Sequence, residues 1–240
     1  MSTLFMVRHG QARFGTSDYD RLSELGFTQS RVLGEHWAER GMEFDAVYSG
    51  AQQRQKETLT AVGDMYRAAG LHFPEPSVIE EFNEYDATGI MTYFFPKLLQ
   101  EDARLQVLIE QFSRTEAGSR EGRKAFQQAF NIVMNRWIEG DTGIEGVESW
   151  EIFKDRVVVG IKKIMAEHPT GNNIAVFSSG GPISASLQHA LGTTNKVTLD
   201  TSWVVKNSSI SEFRYNAERF SLIGFNMTPH FNNNDLLTYR

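Results

Sequence analysis

Apolar positions in this chain follow two periods, and the change from one to the other outlines the fold. The stretch "TLFMVRHG" is a short apolar run that stops at a charged pair and a glycine, which predicts a central strand through Val7. Behind it, "LSELGFTQSRVLGEHWAERG" places Leu25, Val32, Leu33 and Trp37 on one helical face, with Ser23 as cap and Gly41 as stop. "FDAVYSG" predicts a second strand, and "QQRQKETLTAVGDMYRAAG" a second helix that ends at Gly70. "SVIEEFNEYDATG" predicts a short strand opening into an acidic loop.

From about Met91 to His168 the pattern is helical almost throughout. Phe126, Phe130, Val133 and Trp137 form one stripe, and Trp150, Phe153, Val157, Ile161 and Ile164 form another. Both stripes are expected to be core, with "EGDTGIEGVES" as the loop between their helices. Asn173 then leads into the apolar run Ile174 to Phe177, followed by two serines, two glycines and "PISASLQHALG". This predicts a buried strand, a tight turn and a helix with Pro182 at its first position and Gly192 at its end. "SWVVKNSSISEFRY" and "RFSLIGFNM" predict strands joined by the turn "NAER", and "TPHFNNNDLLTYR" predicts a polar loop or tail.

Strands alternate with helices at both ends of the chain, so the expected fold is a three-layer α/β/α arrangement with a central, mostly parallel sheet. We expect a single domain over residues 1–240, with a helical insertion at about 88–149 that caps the site. Ligands of such sheets bind outside the carboxyl ends of the strands. Three segments put unusual residues at such ends: "VRHGQ", "YSGAQQR" and "FSSGG".

Composition narrows the chemistry. The formal net charge of −6 argues against nucleic acid and anionic membranes as partners, while leaving room for a small anion in a locally basic pocket. With no cysteine there are no disulfides, thiolate metal sites or thiol nucleophiles. No apolar run approaches the ~18 residues of a membrane span. "MSTLFMVRHG" is too short and too soon charged for a signal peptide, so a cytoplasmic location is expected.

Arg8 and His9 stand at the end of the first strand, and Gly10 allows close backbone approach. A neutral imidazole in this position can attack phosphorus, and arginine forks match phosphate oxygens. The acidic stretch "EEFNEYD" offers Glu80, Glu81, Glu84 and Asp86 as proton donors. "LFMVRHGQARFG", the helix start Leu22, Ser23, Gly26 and Gln29, the strand-end Ser49 with Arg54, "GVESWEIFKDRV", "NIAVFSSGGPIS" and "VVKNSSISEFRY" come in the order found in the histidine phosphatase superfamily, which this chain resembles outside roughly residues 88–145.

The resemblance implies His9 as nucleophile, with Arg8, Arg54 and backbone N–H groups at Gly180 binding phosphate. It implies a glutamate as acid; Glu84 and Glu81 both fit the spacing, and Glu84 is preferred. It also implies that Ser179 stands where members usually carry a histidine. His230, in the tail, is a candidate to reach the pocket in its place. The implied activity is phosphomonoester hydrolysis through a phosphohistidine, without metal or cofactor, on a small phosphorylated substrate or with inorganic phosphate as ligand. Two alternatives remain: a phosphate- or phosphoprotein-binding pseudoenzyme, which Ser179 favours, and a phosphoglycerate mutase. The stretch "GQARFGTSDYDRL" counts against the mutase.

Overall fold

Four of the apolar runs form parallel strands. A computed structural model describes residues 1–13, 18, 20–116, 119–140 and 146–239. Strands β1 (Ser2–Arg8), β2 (Ala46–Ser49), β3 (Ser77–Val78), β4 (Asn173–Ser178), β5 (Ile210–Tyr215) and β6 (Phe220–Met227) form a sheet in the order β3-β2-β4-β1-β5-β6. The pairs β3/β2, β2/β4 and β4/β1 are parallel, and β5 and β6 add an antiparallel hairpin. The architecture is therefore three-layer α/β/α around a mostly parallel sheet.

The period of two in β1 sorts its side chains. Phe5 and Val7 join Leu33 and Trp37 of α1 (Glu24–Glu39) and Leu59, Val62 and Tyr66 of α2 (Gln53–Ala68) in one buried cluster. Leu4 and Met6 are equally buried on the alternate positions. α7 (Trp150–Glu167) ends near the sheet, where the Tyr48 hydroxyl donates to Glu167 Oε2 at 3.0 Å. Phe153, Val157, Ile161 and Ile164 of the predicted α7 stripe are fully buried.

Residues Met1–Glu84 and Asp155–Arg240 make one compact unit, and Tyr85–Lys154 a second. The second unit contains α3 (Ala87–Gly89), a π-helical turn (Ile90–Phe94), α4 (Phe95–Glu101), α5 (Ala103–Arg114) and α6 (Arg120–Ile138). Its aromatic centre is Tyr85, Trp137, Trp150 and Phe153, with the Trp137 and Trp150 rings 5.2 Å apart at 89°. The α6 stripe is rotated by one residue from the expected one. Ala125 and Ala129 are buried with Val133 and Trp137, whereas Phe126 is 40% exposed and lies against Phe112 and Phe130. In the loop expected over residues 139–149, positions 141–145 lie outside the described residues. Among the described residues no helix is long and apolar enough to cross a membrane.

Two expected boundaries move. α8 (Gly180–Leu191) begins two residues before Pro182, with Ser179 as N-cap. Proline is tolerated in the third position because first-turn N–H groups have no intrahelical acceptor to lose. "SWVVKN" is not strand: Asn195–Ser202 forms α9, capped by the Thr194 hydroxyl accepting from Val197 N–H at 3.3 Å. The chain then turns at Ser208, at φ 59°, and β5 starts only at Ile210.

Candidate active site

The site follows from the strand order. Arg8 is paired in register with Ser178, and His9 N–H donates to the Ser178 carbonyl at 2.8 Å. On the other side of β4, Gly50 N–H donates to the Phe177 carbonyl at 3.1 Å. The three unusual strand ends therefore meet at one edge. Gly10 is required there by space: a Cβ on it would lie 2.3 Å from the Gly26 carbonyl oxygen of α1.

The His9 ring is 4% exposed, and its Nδ1 lies 2.7 Å from the Gly10 carbonyl oxygen. A carbonyl only accepts, so Nδ1 carries the proton and Nε2 carries the lone pair. Nε2 accepts from Arg54 Nε at 3.1 Å. Burial, then the charges of Arg54 and Arg8, hold the imidazole well below its ordinary value near 6.5, against a smaller upward pull from the Gly10 carbonyl. The ring is neutral at pH 7, with a nucleophilic nitrogen facing a guanidinium.

Arg54, in the first turn of α2, is 5% exposed. Its Nη1 donates to Asp20 Oδ1 at 2.6 Å and its Nη2 to Gln52 Oε1 at 3.0 Å. Asp20 also accepts from Gln53 N–H at 2.9 Å, so one carboxylate joins the start of α2 to the arginine fork. Gln52 Oε1 accepts in addition from Glu84 N–H at 3.1 Å. Glu84 Oε2 in turn accepts from Gly181 N–H at 3.1 Å, in the first turn of α8. His9, Arg54, Gln52, Glu84 and Gly181 thus form one continuous chain of contacts.

The rival acid is held elsewhere. Glu81 is ion-paired with Lys163 of α7, and that hydrogen bond is the main cause of its lowered pKa. Arg8 donates through Nη1 to the Val205 carbonyl and, at 2.9 Å, to the Tyr239 carbonyl. A Cβ on Gly180 would sit 3.8 Å from Arg8 Nε and 2.9 Å from the Ser202 carbonyl oxygen, so glycine lets α8 start beside the arginine. Ser179 is fully buried, and its Oγ accepts from Gln55 Nε2 at 2.9 Å. His230 is packed against His36 of α1 and Phe231, with ring centroids at 5.9 and 4.2 Å.

Sequence reasoning did not single out Asp20, Gln52, Gln55 or Asn207. Asn207 Nδ2 donates to the His9 carbonyl at 3.1 Å, and its Oδ1 accepts from the Thr238 hydroxyl at 2.9 Å. Gln29 joins the same network: it accepts from Gln11 N–H and donates to Thr238 Oγ1, both at 2.8 Å. The one available signal was the three glutamines around Arg54 in "QQRQ", of which Gln52 and Gln55 join the site.

Fold and site together define an α/β protein whose parallel strands end at a buried neutral histidine between arginines. Residues 4–91 and 105–228 match the histidine phosphatase superfamily (branch 1), and the chain belongs to that superfamily. A 2,3-bisphosphoglycerate-dependent phosphoglycerate mutase of Bartonella tribocorum is 28% identical over 95 residues, 37% of this chain and 46% of that protein. The enzyme of the same name from Rhizobium etli is 36% identical over 105 residues, 38% of this chain and 46% of that protein. The chain thus spans about half the length of the curated relatives it matches.

Solved structures agree in fold. Phosphoglycerate mutase from Bacillus anthracis superposes with a TM-score of 0.60 at 20% identity, covering 94% of this chain and 92% of that one. A mycobacterial glucosyl-3-phosphoglycerate phosphatase in complex with inorganic phosphate gives 0.61 at 18% identity, covering 96% and 99%.

Proposed function

We propose that this chain is a phosphomonoesterase that works through a phosphohistidine at His9. The observation that carries this reading is the ring's tautomer: Nδ1–H is fixed on the Gly10 carbonyl, so the lone pair on Nε2 faces Arg54. Arg8 and Arg54 hold the phosphoryl oxygens and offset their charge. Nε2 attacks phosphorus, the bond to the leaving oxygen breaks with its electron pair, and Glu84 in its acid form protonates that oxygen. Water then attacks phosphorus and gives its proton to Glu84. The P–N bond breaks, its electrons return to Nε2, and inorganic phosphate leaves. Superfamily membership supports this reading, as do the mutases and phosphatases among the similar proteins.

In this reading Ser179 takes the place of a second histidine and supplies a neutral donor instead of a charged one. A charge-assisted hydrogen bond contributes roughly 1.5–3 kcal/mol and a neutral one about 0.5–1.5. Preorganised donors in active sites reach about 2.7–4 kcal/mol. Turnover is then slower than with histidine by roughly ten- to a thousandfold. The second reading, a phosphate-binding protein without turnover, draws on the same serine.

Rapid quenching with a labelled phosphomonoester separates the two. The phosphatase reading expects an acid-labile phosphohistidine that disappears in His9→Ala together with turnover. Turnover that survives His9→Ala overturns it, and phosphate binding with neither label nor turnover establishes the second reading.

A further inference from the structure

Two adjacent serines end β4, and their hydroxyls are used differently. Ser178 Oγ donates to the Phe82 carbonyl at 2.8 Å, so its proton is committed to holding the fold. Ser179 Oγ accepts from Gln55 Nε2 at 2.9 Å and makes no hydrogen bond of its own to a described residue. The direction of that contact is fixed by backbone groups at both ends of the Gln55 amide. Nε2 also lies 3.2 Å from the Phe82 carbonyl, which only accepts, and Oε1 lies 3.3 Å from Gln52 N–H, which only donates. The amide cannot flip without losing both. Gln55 is fully buried, and a Cβ on Gly50 would meet its Oε1 at 2.1 Å, so the side chain is clamped in place.

A hydroxyl has one hydrogen to give, and one that already accepts a hydrogen bond is a better donor. Ser179 caps α8 without bonding to its own helix, next to the glycine turn that Arg8 approaches. We propose that Gln55 is a positioning residue that turns Ser179 into a dedicated hydroxyl donor for a phosphate group held by Arg8 and Arg54. The inference rests on the phosphate site assigned above. It explains why two buried neutral residues occupy this corner. The amide takes one side of the Ser179 oxygen, leaving its proton for the anion.

The test is a double-mutant cycle read by calorimetric titration with inorganic phosphate, which does not depend on turnover. Ser179→Ala and Gln55→Ala are each expected to weaken binding roughly fivefold, the worth of one neutral hydrogen bond. The double variant is expected to bind no more weakly than either single one, because Gln55 acts only through the hydroxyl. Gln55→Met, which keeps the side-chain volume without an N–H, should reproduce the loss if Gln55→Ala proves unstable. Losses that multiply in the double variant, or unchanged binding in Ser179→Ala, overturn the inference. So does a wild-type chain that binds no phosphate. A missing phosphohistidine sinks the phosphatase reading alone, whereas a labelled His9 with multiplying losses sinks only the role of Gln55.

Discussion

Arg54 donates its Nε hydrogen to Nε2 of His9 across 3.1 Å, so the proposed nucleophilic atom and the proposed anion-binding fork are in direct contact. In the proposed reaction a phosphoryl group entering between them replaces this contact with bonds to both. Burial first, and then the positive charges of Arg54 and Arg8, keep the His9 ring neutral.

The His9 ring is therefore expected to stay neutral well below pH 6.5. Its NMR titration midpoint should lie well below the ordinary histidine value, and a midpoint at about 6.5 would refute this. The same sign governs stability. His230 is held down to about 3 by burial and by the neighbouring His36, opposed by a backbone group of Ser208. In the unfolded chain both His9 and His230 take up a proton near ~6.5, which the folded chain refuses, so stability falls as pH drops below that value. Each histidine adds about 1.4 kcal/mol per pH unit to the slope. His230→Phe should remove one such contribution in urea titrations between pH 6 and 4. An unchanged slope would count against it.

Asp20→Asn should raise phosphate affinity several-fold. The Asp20 carboxylate is bonded to the arginine fork proposed to hold the anion, and asparagine keeps the cap on Gln53 N–H while losing the competing charge. Stability should fall by about 1 kcal/mol, since Asp20 is half exposed although its partner Arg54 is buried. Weaker phosphate binding would show instead that Asp20 orients Arg54 for the ligand.

Glu84→Gln should slow hydrolysis of alkyl phosphates by about a hundredfold or more and of an aryl phosphate such as p-nitrophenyl phosphate far less. A good leaving group needs little protonation. Equal losses on both substrates would remove Glu84 from the role of acid.

Ser179→His on its own should not raise turnover. The Gln55 amide fills the space 2.9 Å from Oγ, and an imidazole there is overpacked by roughly 1–3 kcal/mol. With Gln55→Ala added, the ring has room, and turnover should rise above that of the single variant. A gain from Ser179→His alone would mean that the corner yields more easily than its burial implies.

Gly26→Ala should destabilise the fold by about 1–3 kcal/mol. The new Cβ would meet the Gln11 carbonyl oxygen at 2.2 Å, a backbone atom that cannot swing away. Denaturant midpoints decide this, and a change within experimental error would show that the loop after His9 is free to shift.

The strand ends were legible in the sequence because each apolar run stops at a residue with an evident chemical use. Arg8 and His9 follow Val7, Ser49 follows Tyr48, and Ser178, Ser179 and two glycines follow Phe177. What the sequence concealed was neutral or distant. For Gln52 and Gln55 the cluster of amides around Arg54 was the one local hint, and it does not reveal that they face inward. Asn207 and Thr238 are far apart in the chain, and only folding makes them partners. Val204 and Val205 have the β-branched character of a strand, yet the cap at Thr194 and the turn at Ser208 decide that segment.

The place of β4 in the sheet has a consequence for biosynthesis. It lies between β1 and β2, yet it is made only after some 120 residues have followed β2. A nascent chain that has not reached Asn173 therefore holds two apolar strands, each missing its shared neighbour, with His9 and Arg54 not yet framed by "FSSGG". Open strand edges of this kind attract other chains. Truncated products ending before residue 173 should therefore be prone to association, and the proposed anion site is complete only once the last third of the polypeptide has left the ribosome.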